Sequence, residues 1–255
     1  MMRDVLYDIK NYIRGVGWLV LNYRKVARLM RDRHHMIRLR PFKIVSWNRG
    51  SRYFTANYHK KTKVFVKLEG VYALLGNEIN AHAKMQSQFP NGRTSSVLVA
   101  QDLKCEFPFV AFRWINGVQL EVLLRRRIKD AERLLILAFL RKSLLCLRQA
   151  KIIHRDFTPF NLIVEYEDGG IMTGIVIIDF AFSVVDGHFA CEVAIPMHEL
   201  MSLGKGYKPD PARWDDAYSC AAIMERLCEG APNLLQQEEV KLTRSEIGQF
   251  SYGID

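Results

Sequence analysis

The sequence predicts an α+β chain in which a small antiparallel sheet comes first and a mainly helical part follows. Three observations carry that prediction. Between Phe42 and Ile115, short apolar runs separated by turn residues recur, the pattern of successive strands. A leucine-rich stretch from Ala131 to Gln149 is long enough for a helix of several turns and too apolar for a surface one. The stretch from Ile152 to Asp179 then sets two apolar runs around a polar segment and a turn.

Composition sets the outer limits. With 255 residues, 49% of them hydrophobic, the chain has material for one large domain or two small lobes. Its five cysteines are odd in number and form no C-x-x-C pair, which argues against a disulfide framework or a zinc site and for a reducing cytoplasm. The net charge of +10 favours anionic partners.

Most of that charge stands at the start. Through Lys43 there are eleven Lys and Arg against three Asp and Glu, or +8. Ile9, Ile13, Val16, Val20, Tyr23, Ala27 and Met30 recur at spacings of three and four, so residues 1–40 read as a basic amphipathic helix. Two uses are open to it: lying on an anionic membrane surface, or packing its apolar stripe on the part that follows. The uncharged run from Gly15 to Tyr23 is too short to span a bilayer, and no cleavable signal is evident. Nucleic acid is not expected, because no recognition motif or series of stacking aromatics accompanies the charge.

After Pro41, Phe42–Trp47, Arg52–Tyr58 and Val64–Leu68 read as strands, NEINAHAKM as a helix, and Val97–Gln101 and Phe109–Ile115 as two further strands. Leu120–Arg127 is a short helix, and the helix from Ala131 to Gln149 carries too many leucines for one face. It is expected to be buried on most sides. Leu162–Tyr166, a turn at Glu167–Gly170 and Ile175–Ile178 form a hairpin that brings Asn161 and Asp179 to one end. Asp156, Asn161 and Asp179 thereby gather three oxygen-bearing side chains. Trp214–Cys228 and a segment about Pro232–Ile247 read as the last helices.

HRDFTPFN, spanning His154 to Asn161, and IIDFA, ending on Ala181, resemble the catalytic loop and the metal-binding segment of the protein-kinase-like superfamily. The resemblance implies a bilobal fold, divided here into a helix at 1–40, a sheet-containing N-lobe at 41–115 and a reduced helical C-lobe at 116–255. It implies transfer of the γ-phosphate of ATP to a hydroxyl, with Asp156 positioning that hydroxyl and Asn161 and Asp179 holding Mg2+. His154 and Arg155 complete the loop. Lys67, ending VFVK, is similar to the lysine that contacts the α- and β-phosphates, with Glu78 as its expected partner in preference to Glu69. Adenine would meet main-chain groups of Arg113 and Ile115, with Phe112 at the back of the pocket. Asp216 would hydrogen-bond the catalytic-loop backbone, its alternative being a helix N-cap.

The sequence departs from the family pattern at the glycine-rich turn, where only Gly50 stands, so backbone groups beside Ser51 and Arg52 would have to meet the phosphates. Ala181 replaces a glycine, and Thr158 stands where protein serine/threonine kinases usually carry a lysine. D-F-T-P-x-N is similar to small-molecule and glycan kinases, whereas H-R-D is similar to protein kinases and bacterial lipopolysaccharide kinases. The acceptor is therefore a protein serine or threonine, or a sugar of a lipopolysaccharide-type glycan. The alternative is a pseudokinase that binds nucleotide without transfer. The expected location is cytoplasmic, with attachment to the inner membrane face if the first helix is used that way.

Overall fold

The computed structural model describes residues 2–47, 51–90, 94–189 and 194–254. The chain forms two units, the first chiefly Met1–Gly76 with Val97–Trp114, the second Asn77–Ser96, Ile115–Ala190 and Ala194–Asp255.

In the first unit α1 (Met2–His34) precedes β1 (Met36–Pro41), β2 (Arg52–Tyr58), β3 (Thr62–Leu68), β4 (Leu98–Asp102) and β5 (Phe109–Arg113). The strands lie in the order β1-β2-β3-β5-β4, each neighbour antiparallel. Successive strand residues point to opposite faces. Phe54 and Ala56 of β2, Val64, Val66 and Leu68 of β3, and Phe109 and Ala111 of β5 therefore share one face, and all are buried. α1 covers that face with Val26 and Met30. Trp18 meets Trp47, Phe54 and Phe107 at ring-centroid distances of 6.0, 6.4 and 6.1 Å, edge-on or tilted as aromatic quadrupoles prefer. Close approach of α1 needs Gly15, where a Cβ would fall 2.6 Å from Ile44 Cγ2 and 3.3 Å from Trp47. The Tyr23 hydroxyl donates to the Leu39 carbonyl at 2.6 Å, tying helix to β1.

Two expectations are corrected here. Phe42–Trp47 is not a strand: Lys43 takes a left-handed conformation (φ 47°) and Ile44–Ser46 close into a 3-10 turn. The strand lies earlier, at Met36–Pro41, where Pro41 is tolerated because β1 is an edge strand. The helix correspondingly stops at His34, before the left-handed His35 (φ 54°).

The second unit contains most of α2 (Leu75–Gln88), then β6 (Gly117–Gln119), α3 (Leu120–Leu124), α4 (Asp130–Gln149), β7 (Ile152–Ile153), β8 (Leu162–Tyr166), β9 (Met172–Ile177) and β10 (Val184–Val185). α5 (Met197–Ser202), β11 (Arg213–Asp215), α6 (Asp216–Leu227), α7 (Glu238–Ser245) and β12 (Ser251–Gly253) complete it. Its strands make one three-stranded sheet, β6-β8-β9, and two short ladders, β7-β10 and β11-β12. One core joins Leu137, Leu140, Leu144 and Leu147 of α4 to Ile223, Met224 and Leu227 of α6 and to Leu162 and Ile177 of the hairpin. α4 buries the wider part of its circumference, from Cys146 through Ile136, Leu140 and Leu144 to Arg141, and leaves Leu134, Leu135 and Leu145 on the exposed remainder.

Charged pairs pin the helices. Arg141 makes a bidentate bond to Glu246 with both distances 2.6 Å, and Arg226 grips the buried Glu121 of α3 at 2.6 and 3.1 Å. Planar guanidinium groups suit such two-point recognition.

Candidate active site

The site is best built from β7 outward. Ile152 and Ile153 pair with Val185 and Val184, so the chain leaves a buried ladder as it reaches His154. The His154 N–H donates to Asp216 Oδ2 at 2.6 Å, and its ring Nε2 lies 3.0 Å from the Ile178 carbonyl. A carbonyl can only accept, so Nε2 carries the proton. Burial holds the imidazole pKa down, against the opposing pull of Asp156, and leaves the ring neutral. His154 thus braces the loop against the end of β9 and does not offer an exposed acid or base.

Arg155 is strained and caged. Its φ is 67°, and its guanidinium stands over Trp214, Phe189 and Tyr252 at 4.4, 4.8 and 5.2 Å from the ring centroids. Removal from water lowers its pKa to about 10, so it stays a cation. Its role is to fasten the loop to the β11-β12 ladder, which carries Trp214 and Tyr252.

Asp156 comes next, half-buried between the buried Arg155 and Phe157. Its Oδ2 accepts from Asn161 Nδ2 at 2.8 Å, and its Oδ1 accepts from the Gly204 N–H at 2.7 Å. Asn161 Nδ2 also donates to the Asp156 carbonyl at 2.9 Å. With two acceptors on its nitrogen, the orientation of the Asn161 amide is fixed. Its oxygen is thereby turned away from Asp156. A 3-10 turn at Pro159–Asn161 then hands the chain to β8, and the Ile178 N–H donates to the Asn161 carbonyl at 3.0 Å. The hairpin register, Leu162 opposite Ile177, brings Asn161 and Asp179 to the same end of the strands.

Asp179 adopts a left-handed conformation (φ 61°) and opens a 3-10 turn over Phe180–Phe182. Ala181 lies inside that turn with a negative φ, so its Cβ meets no backbone penalty. The turn is held from α2 by Asn77, whose Nδ2 donates to the carbonyls of Ala181 and Ser183, both at 2.9 Å. Lys84 of the same helix bonds to Asp186.

Asp215 and Asp216 divide the two roles weighed for Asp216. Asp215 is the N-cap of α6, accepting from Ala217 and Tyr218 N–H at 2.9 and 3.1 Å. Asp216, fully buried, takes the loop N–H. Desolvation raises its pKa to about 7, with the His154 hydrogen bond acting in the opposite direction.

In the first unit, Lys67 alternates with Val66 and so lies on the sheet face opposite α1. Tyr53 and Val110 are its cross-strand neighbours, and Phe112 shares that face two residues along β5. Lys67 is only 6% exposed, and Glu78, in the second unit, 2%. Glu69 is otherwise occupied: its carboxylate accepts from the Gly70 and Leu75 N–H groups at 3.1 and 3.3 Å, at the start of α2. The Arg113 N–H donates to the Val97 carbonyl at 2.8 Å, and Ile115 follows β5. Gly50 lies outside the described residues. Ser51 is half-buried, and the Arg52 guanidinium turns toward α1, over Trp18 and Trp47 at 5.1 and 5.8 Å.

Sequence reasoning missed Gly204 and Asn77. Gly204 has φ +64°, and a Cβ there would come 2.9 Å from the Arg155 carbonyl, so both its conformation and its space demand glycine. Nothing local marks it, since it stands 48 residues beyond Asp156. Asn77 adjoins Glu78, but an asparagine in a helix carries no motif.

A family model described as the phosphotransferase enzyme family, APH, matches residues 69–223, more than half of the chain. No curated protein matches it. The fold and loop define a kinase-like phosphotransferase of the protein-kinase-like superfamily. Within that superfamily the chain belongs to the phosphotransferase enzyme family. The matched span begins just beyond Lys67 and includes Glu78, Asp156, Asn161, Asp179 and Asp216.

Proposed function

We propose that this phosphotransferase moves the γ-phosphate of Mg-ATP to a hydroxyl, with Asp156 orienting the hydroxyl and accepting its proton. The observation that carries the reading is the grip on Asp156. Both carboxylate oxygens accept hydrogen bonds, from Asn161 and Gly204, which fixes their direction while the residue stays half open. Phosphoryl transfer depends mainly on such positioning and on charge neutralisation.

The donor set suits magnesium. The Asn161 amide oxygen, turned away from the Asp156 contact, and the Asp179 carboxylate are hard oxygen donors of the kind Mg2+ takes. When bound, the ion would neutralise charge on the phosphates. Lys67, Glu78, Phe112, Arg113 and Ile115 keep the nucleotide-side roles that the resemblance gives them. For Arg113 the carbonyl is the group to consider, because its N–H is used within the sheet. Ala181, one motive for a non-transferring reading, fits its turn without strain.

The acceptor we favour is a sugar of a lipid-linked glycan, reached by a cytoplasmic enzyme at the periphery of the inner membrane face. The basic first helix supports that location, and no described helix is long and apolar enough to cross a membrane. The test is labelled ATP and magnesium with the wild type and Asp156→Ala, offered a generic protein and a membrane glycolipid extract in parallel. Label in the glycolipid with wild type alone supports the reading, and label in the protein alone moves the acceptor to serine or threonine. ATP bound with no label in either fraction would leave a nucleotide-binding protein without transfer.

A further inference from the structure

Helix α1 has more apolar surface than the sheet uses. Ile9, Tyr12, Ile13, Val16 and Val20 are spaced by three and four and so line one side of the helix. All five are exposed, Ile13 to 64% and Val20 to 79%. Only the later members of the sequence-predicted stripe, Tyr23, Ala27 and Met30, join the first unit's core. At about 100° per residue, the bare stripe falls between the packed side, marked by Gly15, Val26 and Met30, and a basic rim of Lys10, Arg14, Arg24 and Arg28. Those four cations are exposed and make no ion pair among the described residues.

We infer that this stripe and its rim form a contact surface for an anionic lipid bilayer, with α1 lying in the plane of the headgroups. An aliphatic row bordered by lysine and arginine matches the two layers such a surface presents, acyl chains beneath and anionic headgroups beside. A second copy of the chain is the poorer occupant, because stripe against stripe would bring the two basic rims together. Nucleic acid would leave the aliphatic row unused. The inference rests on the peripheral location proposed above and is independent of the transfer chemistry.

The test is co-sedimentation of the full chain with phosphatidylcholine vesicles, with and without phosphatidylglycerol, at low and raised salt. The wild type is expected to pellet with phosphatidylglycerol vesicles and to be partly released by salt. Ile13→Ser/Val20→Ser, two exposed positions outside the core, should weaken binding about tenfold or more. Arg14→Gln/Arg28→Gln should remove most of the preference for the anionic lipid while leaving the apolar stripe intact. Unchanged far-UV circular dichroism and ATP turnover in both variants separate loss of the surface from loss of the fold or chemistry. Absence of wild-type binding, or binding by both variants equal to that of the wild type, overturns the inference. A wild-type dimer that Ile13→Ser/Val20→Ser makes monomeric overturns it too, and gives the stripe to a second copy.

Discussion

The loop around Asp156 and the sheet that carries Lys67 are built by different physics. Around Asp156 polar bonds tie the loop, beside the aromatic cage of Arg155: amide and peptide donors on the Asp156 oxygens, His154 tied to Asp216 and Ile178, Asn77 clasping the turn after Asp179. Lys67 projects from a sheet whose other face is closed by the indole and phenyl rings under α1. Hydrogen bonds fix a side chain to within tenths of an ångström, whereas packing fixes the plane from which it projects. The first arrangement suits the role proposed for Asp156 at the reacting hydroxyl.

The sharpest way to break that contrast is Asp156→Ala. Turnover should fall about a thousandfold with ATP affinity unchanged, read by labelled-phosphate transfer and by nucleotide titration. A comparable loss of ATP affinity would show that the polar loop also carries nucleotide binding. Next in size is Trp18→Ala, which empties the aromatic layer under the sheet and should cost about 3 kcal/mol of stability, read by denaturant unfolding. Turnover at saturating ATP should survive in the fraction that stays folded.

Asp216 gives a pH test of the polar side. In the folded chain it keeps its proton up to about pH 7, while an unfolded aspartate releases it near pH 4. The folded state is the better proton binder across that window, so stability should fall as pH rises from about 4 to about 7, by up to about 1.4 kcal/mol per pH unit. Asp216→Asn keeps an oxygen for the His154 N–H and should flatten that slope in a series of thermal melts. An unaltered slope would assign the titration to another group. Last is Gly204→Ala, with a stability loss of at least about 1 kcal/mol from the left-handed backbone, to which the 2.9 Å approach of the new Cβ to the Arg155 carbonyl adds. Its diagnostic effect is a lower kcat at unchanged KM for ATP, because the N–H that orients Asp156 would shift.

Much of the loop was legible because its residues are consecutive and their chemistry is specific: His154, Asp156, Asn161 and Asp179 fall within one hairpin and its approach. What is written in tertiary structure was not. Gly204 acts through its backbone N–H, which every residue but proline possesses, and only its φ and the nearby Arg155 carbonyl set it apart. Asp215 and Asp216 are chemically identical neighbours, and which one caps α6 depends on where β11 ends. The sheet was legible as a pattern of alternation and poorly legible at its edge. Ile37 to Pro41 alternates apolar with basic residues as a helix margin also can, and the left-handed Lys43 leaves no mark in composition.

The bond from the His154 amide to the buried Asp216 has a consequence for how the chain breathes. A proton shared between the loop and the first turn of α6 can reach solvent only when loop, helix and the core beneath them separate. In deuterated water the His154 amide should therefore exchange at the rate of the second unit's global opening, while amides at the exposed Gly169–Gly170 turn exchange orders of magnitude sooner. The loop that carries Asp156 would be among the last parts of its unit to open.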